Sequence, residues 1–500
     1  LMADPTAEVY DSTGNWNHLF RTASSGNPVG VMERNNYTYK TTRFLGSVYL
    51  DAKLFNSVTF HTNFGLDINN GDMESFDPKY QITPSDRSDR NYFRKRHEKW
   101  INWDWENTLT YHQVFGNHDI TVMGGVTAQK ESFEDTRINM HDFPFDEEFM
   151  RYPNLPTTEG VVNSLGSSPM AYSIFSVLGR AMYAYQNKWL LTSSVRRDAS
   201  SRFGPNYRVG IFPSFSLGYK ISEEPFMENI PVISFMKIRG GWGKLGNQAI
   251  PPFGYTTSVY TGTNYSTGFA NNVIIGSMPA GPANPDMHWE TTSQTNIGVD
   301  AGLFENKLSV TIDGYYKKTT DLLIQVPISA MTGIQNPERI GGQPPWPFVN
   351  AAEVENKGID AVLSYKIKLG DFFFNVNGNV SNVKNKVLSL AGGEPVYSND
   401  GRSKTIEDTP VASFYGYVVD GIFQSYDEIA SAPSQGPDDP HIADQSIEPN
   451  PRRFIAPGDF RFKDVNNDGV IDGDDRDFIG SPLPEWFYGL NLNAKVQNLP

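Results

Sequence analysis

Near the carboxyl end, Tyr488, Leu490, Leu492, Ala494 and Val496 alternate with Gly489, Asn491, Asn493 and Lys495. A period of two sends neighbouring side chains to opposite sides of a sheet, so this segment is a strand with one apolar and one polar face. The same pattern recurs along the chain. Val58, Phe60, Thr62, Phe64 and Leu66 share one face, as do Ile297, Val299, Ala301 and Leu303. Leu308, Val310, Ile312 and Gly314 oppose Ser309, Thr311 and Asp313, and Phe374, Val376, Gly378 and Val380 oppose Asn375, Asn377, Asn379 and Ser381. A wall of branched and aromatic residues backed by asparagine fits lipid on one side and water on the other.

Composition does not oppose this reading. No run of 18 apolar residues exists among the 500, which excludes a helical membrane span. A barrel strand needs an apolar residue only at every second position, so a mean hydropathy of -0.44 does not separate a soluble protein from a barrel. The net charge of -15 argues against nucleic acid as a partner. With no cysteine there are no disulfides, thiolate metal sites or thiol catalysis. The start, Leu1-Met2-Ala3-Asp4-Pro5, has neither the basic nor the apolar region of a signal peptide, so the expectation is a mature chain or a fragment.

Strand pairs follow one another with short turns. Residues 43–52 and 58–67 flank a turn at 53–57, 101–111 precedes 118–129, and 171–185 precedes 189–198. The pair 293–303 and 307–317 turns at 304–306, and 357–368 and 372–382 turn at 369–371. Segments 211–221, 235–245 and 411–423 are further candidates, for about 13 strands. The fold expected is all-β, a transmembrane antiparallel barrel. Long polar stretches at 68–99, 130–170, 246–290, 319–352 and 385–483 read as loops on the extracellular side, with the short turns periplasmic. A single-chain barrel needs closed edges, so the missing partner of the last strand is expected from the rest of a longer polypeptide.

Several stretches resemble one family: residues 190–204 (Leu190 to Gly204), 212–219, 221–226, 237–243 with 246–248, 289–298, 355–359 and 416–423. In this order they are similar to the barrel of SusC/RagA-type TonB-dependent outer-membrane transporters of the Bacteroidetes. The resemblance implies that residues 1–500 are the carboxy-terminal part of a barrel of about 22 strands around an amino-terminal plug that is not in this chain. It also implies a SusD-like surface lipoprotein as a lid, energy from TonB–ExbB–ExbD through the missing amino-terminal region, and an oligosaccharide or oligopeptide as cargo.

The sharpest chemical motif is residues 464–475. Asp464, Asn466 and Asp468 occupy positions 1, 3 and 5 of a 12-residue calcium loop, Gly469 the sharp turn, Val470 the carbonyl position, and Asp472 and Asp475 positions 9 and 12. Position 12 is Asp instead of the usual bidentate Glu, and the segment before the loop looks extended. The expected occupant is structural Ca2+, held in the weak extracellular range of about 10⁻⁴–10⁻³ M; the bland reading is a loop of Asx turns.

Aromatics in the long loops, Tyr255, Tyr260, Tyr265, Phe269, Trp346 and Phe348, are candidates to stack on sugar rings or apolar peptide side chains. The bland reading is that they pack the loops themselves. The eight histidines show no His-Glu-x-x-His pattern, and no Gly-x-Ser-x-Gly elbow occurs. Residues 240–246 are glycine-rich but lack the ending of a phosphate loop. Inward carboxylates such as Asp300 and Asp313 read as the lining of a hydrated lumen.

The function expected is import of a large nutrient across the bacterial outer membrane, with no covalent chemistry and no organic cofactor. A non-energised porin or adhesin barrel is the alternative. A soluble all-β glycan-binding protein is the third reading.

Overall fold

The computed structural model describes residues 8–14, 16–17, 27–34, 36–81, 87–143, 162–167, 169–257, 259–267, 272–279, 282–325, 347–390, 393–398, 401–435 and 455–496. Among them are thirteen long strands: β1 (Asn36–Phe55), β2 (Val58–Asp77), β3 (Tyr92–Phe115), β4 (His118–His141), β5 (Met170–Tyr185), β6 (Trp189–Ser200) and β7 (Val209–Lys220), then β8 (Ile233–Asn247), β9 (Glu290–Leu303), β10 (Leu308–Gln325), β11 (Phe348–Leu369), β12 (Phe372–Ser389) and β13 (Trp486–Val496). The chain divides into two compact units. One comprises Leu1–Tyr111, Met123–Gly179 and Arg197–Arg202, and the other His112–Val122, Arg180–Arg196 and Phe203–Pro500.

In the first unit β1 pairs antiparallel with β2 and β2 with β3. Their register sets apolar residues in rows: Phe44, Ile68 and Ile101; Val48, Phe64 and Trp105; Ala52, Phe60 and Leu109. The alternate rows are polar, as in Tyr49, Asn63 and Glu106. Val48 is 78% exposed, so none of the described residues covers the apolar face there. A contiguous uncovered face of this kind is what lipid requires.

In the second unit β7 to β13 pair in chain order, each antiparallel to the next. One apolar row crosses six strands: Ile238, Val299, Ile312, Ala361, Val380 and Tyr488. The row one residue along is Arg239, Gly298, Asp313, Asp360, Ser381 and Phe487. A single step along the backbone thus exchanges hydrocarbon for charge. The tight turns are made by residues that tolerate or are forced into the left-handed region: Gly370 has φ +61°, and Phe304, Glu305 and Asn306 have φ 53°, 59° and 60°.

Two sequence expectations change. The strands run farther than their alternation marks, because β2 continues to Asp77, β3 begins at Tyr92 and β4 continues to His141. The 24 residues of β3 span about 80 Å, where about 10 residues cross the hydrocarbon. Beyond the lipid both faces are wet, so the alternation fades while the hydrogen-bond ladder continues. Segment 411–423 is not a member of the long-strand series. It splits into Ser413–Tyr417, which pairs with Arg476–Gly480 in a small four-stranded sheet, and Val419–Ile422, which pairs with Phe460–Phe462.

Buried side chains gather away from the apolar rows. Phe76, Phe93, Met140 and Phe143 form one cluster, Phe203, Ile250, Met287 and Trp289 a second, and Ala352, Val387 and Leu390 a third. A wall one strand thick has no interior of its own. Its core forms where loops fold over the strand ends.

Candidate functional site

The polar face of the second unit is built by parity. Lys237 and Arg239 on β8, Asp300 on β9 and Asp313 on β10 lie opposite the apolar row and face one another across the strands. Arg239 donates through Nε to Asp300 Oδ2 at 3.1 Å and through Nη2 to Asp313 Oδ2 at 2.6 Å. Lys237 Nζ lies 2.9 Å from Asp300, and Thr311 Oγ1 donates to Asp300 at 3.2 Å. The inward carboxylates expected to meet water are therefore mainly engaged by two cations. Those cations escaped notice in the sequence, although Lys237 and Arg239 flank Ile238 and so carry the parity signal. Beside them Ser194 and Ser214 share a hydrogen bond at 2.7 Å. A cavity of about 740 Å³ is lined by Thr192, Ser194, Ser216, Arg239, Gly241 and Asn296, among others.

The aromatic candidates separate. Tyr255 and Phe348 are half-buried and pack against the cluster of Phe203, Ile250, Met287 and Trp289. Tyr260 and Tyr265 sit on Val259–Thr267, which pairs with Asn272–Pro279 in a hairpin. The side chains of Tyr260 and Tyr265, and the whole of Phe269 and Trp346, lie outside the described residues.

The 464–475 loop is closed by its own side chains. Asp464 accepts from the backbone N–H of Asn467 at 2.6 Å and of Gly469 at 2.8 Å. Asn466 and Asp468 accept from Asp468 and Val470, both at 2.9 Å. Gly469 turns at φ +88°. Asp472 caps the short helical turn Gly473–Asp475, and Asp475 returns to accept from the Asp472 N–H. Asp475 also accepts from Val465, at 2.8 Å, and is fully buried. These N–H groups, that of Asp472 foremost, hold its carboxyl below the usual carboxylate range. Asp475 therefore braces the loop. Among the described residues no three His, Cys, Asp or Glu side chains converge in a metal-binding group.

The two histidines that flank the short turn after β3 are likewise occupied. His112 meets Asp119 at 3.0 Å, and His118 meets the Tyr183 hydroxyl at 2.7 Å.

The model of the TonB dependent receptor-like β-barrel matches residues 4–493. The chain belongs to this family. A TonB-dependent receptor of Formosa agariphila is 29% identical over 507 residues, covering 99% of this chain and 48% of the relative. The TonB-dependent receptor SusC of Bacteroides thetaiotaomicron is 25% identical over 504 residues, covering 97% of this chain and 45% of SusC. The chain spans about half the length of the curated relatives it matches. The structure of the RagAB peptide transporter superposes with a TM-score of 0.77 at 20% identity, over 97% of this chain and 50% of that one. Within the family the chain is of the SusC/RagA type, a barrel portion of an outer-membrane receptor. Membership accounts for the two-faced strands: the apolar rows meet lipid and the Arg239 row lines the lumen.

Proposed function

We propose that this chain forms part of the wall of an energised importer that carries an oligosaccharide or oligopeptide across the outer membrane. The observation that carries the reading is the segregation of faces in register, apolar from Ile238 to Tyr488 and polar from Arg239 to Ser381. A charged inner wall suits passage of a hydrated solute, and the relatives are TonB-dependent receptors. In this reading the long-loop side is extracellular and receives a SusD-like lipoprotein lid. Energy arrives from TonB–ExbB–ExbD on the short-turn side, and the wall performs no catalytic step. Deletion of the gene in the source bacterium, with growth measured on defined glycans and on peptides as sole nutrient, tests the proposal. Loss of growth on one class, reproduced by loss of TonB, supports it; uptake unaffected by TonB favours the non-energised porin.

The reading extends to the 464–475 loop, as a weak calcium brace. Each carboxylate oxygen of Asp464 and Asp468 retains a lone pair after accepting one N–H. With Asn466 and the Val470 carbonyl on the same turn, they form a set of hard oxygen donors suited to Ca2+. The loop aromatics Tyr260, Tyr265, Phe269 and Trp346 are the proposed cargo platform; Tyr255 and Phe348 are engaged in packing against the cluster of Phe203, Ile250, Met287 and Trp289.

A further inference from the structure

The lipid face ends at a boundary that register draws across the second unit. Two residues beyond the row from Ile238 to Tyr488, away from the short turns, lies the last apolar row: Gly240, Ile297, Gly314, Ile359, Asn382 and Trp486. The next outward row is Trp242, Thr295, Tyr316, Lys357 and Lys384. Aromatic rings at this height form the girdle of a membrane–water interface. Beyond it the row of Lys244, Ser293, Lys318, Glu355 and Lys386 is wet.

An open groove of about 490 Å³ is cut into this boundary, lined by Ile297, Gly314, Tyr316, Lys357, Ile359 and Lys384, among others. Its lower half is apolar, with Ile297 65% and Ile359 58% exposed. Gly314 stands between them in the row, and nothing in the wall demands a glycine there. Its φ is not in the left-handed region, and a Cβ would meet nothing closer than the Ile297 carbonyl oxygen, at 4.0 Å. Glycine weakens a strand interior, and one that the backbone does not need marks the close approach of another molecule. β9 to β12, which carry the groove, each have a strand on both sides, and the groove opens on the lipid side, away from the lumen.

The upper half of the groove is cationic. Lys357 and Lys384 stand directly opposite one another on β11 and β12, an arrangement in which like charges repel. Lys357 lies 3.4 Å from Glu355, a carboxylate that also accepts from the Tyr316 hydroxyl at 3.2 Å. Lys384 makes no ion pair among the described residues. An anion between the two ammonium groups offsets their repulsion, while the apolar row directly beneath calls for hydrocarbon. A phosphate headgroup joined to acyl chains meets both demands in one molecule. We propose that this groove binds a phosphorylated lipid of the outer leaflet, with its phosphate held by Lys357 and Lys384 and an acyl chain laid over Gly314 between Ile297 and Ile359.

The proposal rests on the proposed orientation, with the long-loop side extracellular, but not on energised transport, so the uptake experiment and the following one can fail separately. The full-length protein containing this chain, purified in detergent and stripped of lipid, is titrated with monophosphoryl lipid A, and bound lipid is read by native mass spectrometry. The expected result is a tightly retained equivalent, with affinity lost at least tenfold in the double variant Lys357→Gln, Lys384→Gln and kept when both become Arg. Gly314→Phe, which fills the groove from its outward side, is expected to lose the lipid as well while keeping the parent's thermal unfolding. The dephosphorylated form of the same lipid is expected not to be retained. Unchanged affinity in the Gln variant overturns the proposal, and so does equal retention of the dephosphorylated lipid, which would leave hydrocarbon contact alone. Displacement by equimolar inorganic phosphate would assign the lysines to a free anion and overturn it. Loss of binding in the Arg variant would mark a structural role, and retention in a folded Gly314→Phe variant would remove the acyl chain from the groove; either also overturns it.

Discussion

Arg239 reaches over an intervening strand to bond Asp313, with Nη2 2.6 Å from Oδ2, and Gly298 on the strand between them leaves the space. A Cβ built at Gly298 would collide with Asp313 Oδ1 and stand 2.9 Å from Arg239 Cζ. The glycine in Asn296-Ile297-Gly298 is thus explained by a close approach and not by a turn. It lets one guanidinium join β8, β9 and β10 on the lumen side.

The Gly298→Ala variant is accordingly expected to displace Arg239 or Asp313, and Arg239→Gln to leave two carboxylates with only Lys237 between them. Loss of charge-assisted bonds of this kind amounts to about 1.5–3 kcal/mol each, and the partial exposure of all three groups argues for the lower end. Thermal unfolding in detergent, followed by electrophoretic shift, would show the loss. A double-mutant cycle of Arg239→Gln with Asp313→Asn should give a coupling free energy distinct from zero; strict additivity would count against the bridge.

Asp475 makes the 464–475 loop pH-dependent. Its folded carboxyl titrates below the unfolded value of about 3.9, so its stabilisation is fully present above that pH and is lost as pH falls through the folded value. Proteolysis confined to this loop should rise in acid below about pH 4 in the parent. In Asp475→Asn the loop should be cleaved readily at neutral pH as well. Equal protection of parent and variant at pH 7 would refute the bracing role.

Calcium binding is checked by calorimetry on the intact protein. A weak site with a dissociation constant of about 10⁻⁴–10⁻³ M is expected, abolished by a combined Asp464→Ala and Asp468→Ala change. Absence of heat at millimolar calcium would leave the loop as a set of Asx turns.

The buried cluster beneath the long loops should be the main source of local stability there. Trp289 is 8% exposed, packs against Phe203 and Phe212, and donates through Nε1 to the Arg208 carbonyl at 3.0 Å. Trp289→Ala should cost about 3–5 kcal/mol. Hydrogen exchange should then rise first at residues 203–212 and 282–289. Uniform loosening of the whole chain would instead indicate global unfolding.

Sequence alone settled the strands that face lipid, because hydrocarbon on one side and water on the other impose a strict period of two. From Phe44 to Val496 that rule identified the wall, the tight turns at 186–188 and 304–306, and the side on which Asp300 and Asp313 lie. Tertiary structure decided what the rule cannot express. Residues 413–417 and 419–422 do form strands, but a strand's own sequence carries no information on its pairing partner, and these build small sheets with 476–480 and 460–462. Strand ends above the lipid lost their signal because both faces are wet. The bridge from Arg239 to Asp313 depends on register across neighbouring strands. Register is fixed by hydrogen bonds between segments far apart in the chain, and only the folded sheet brings those segments together.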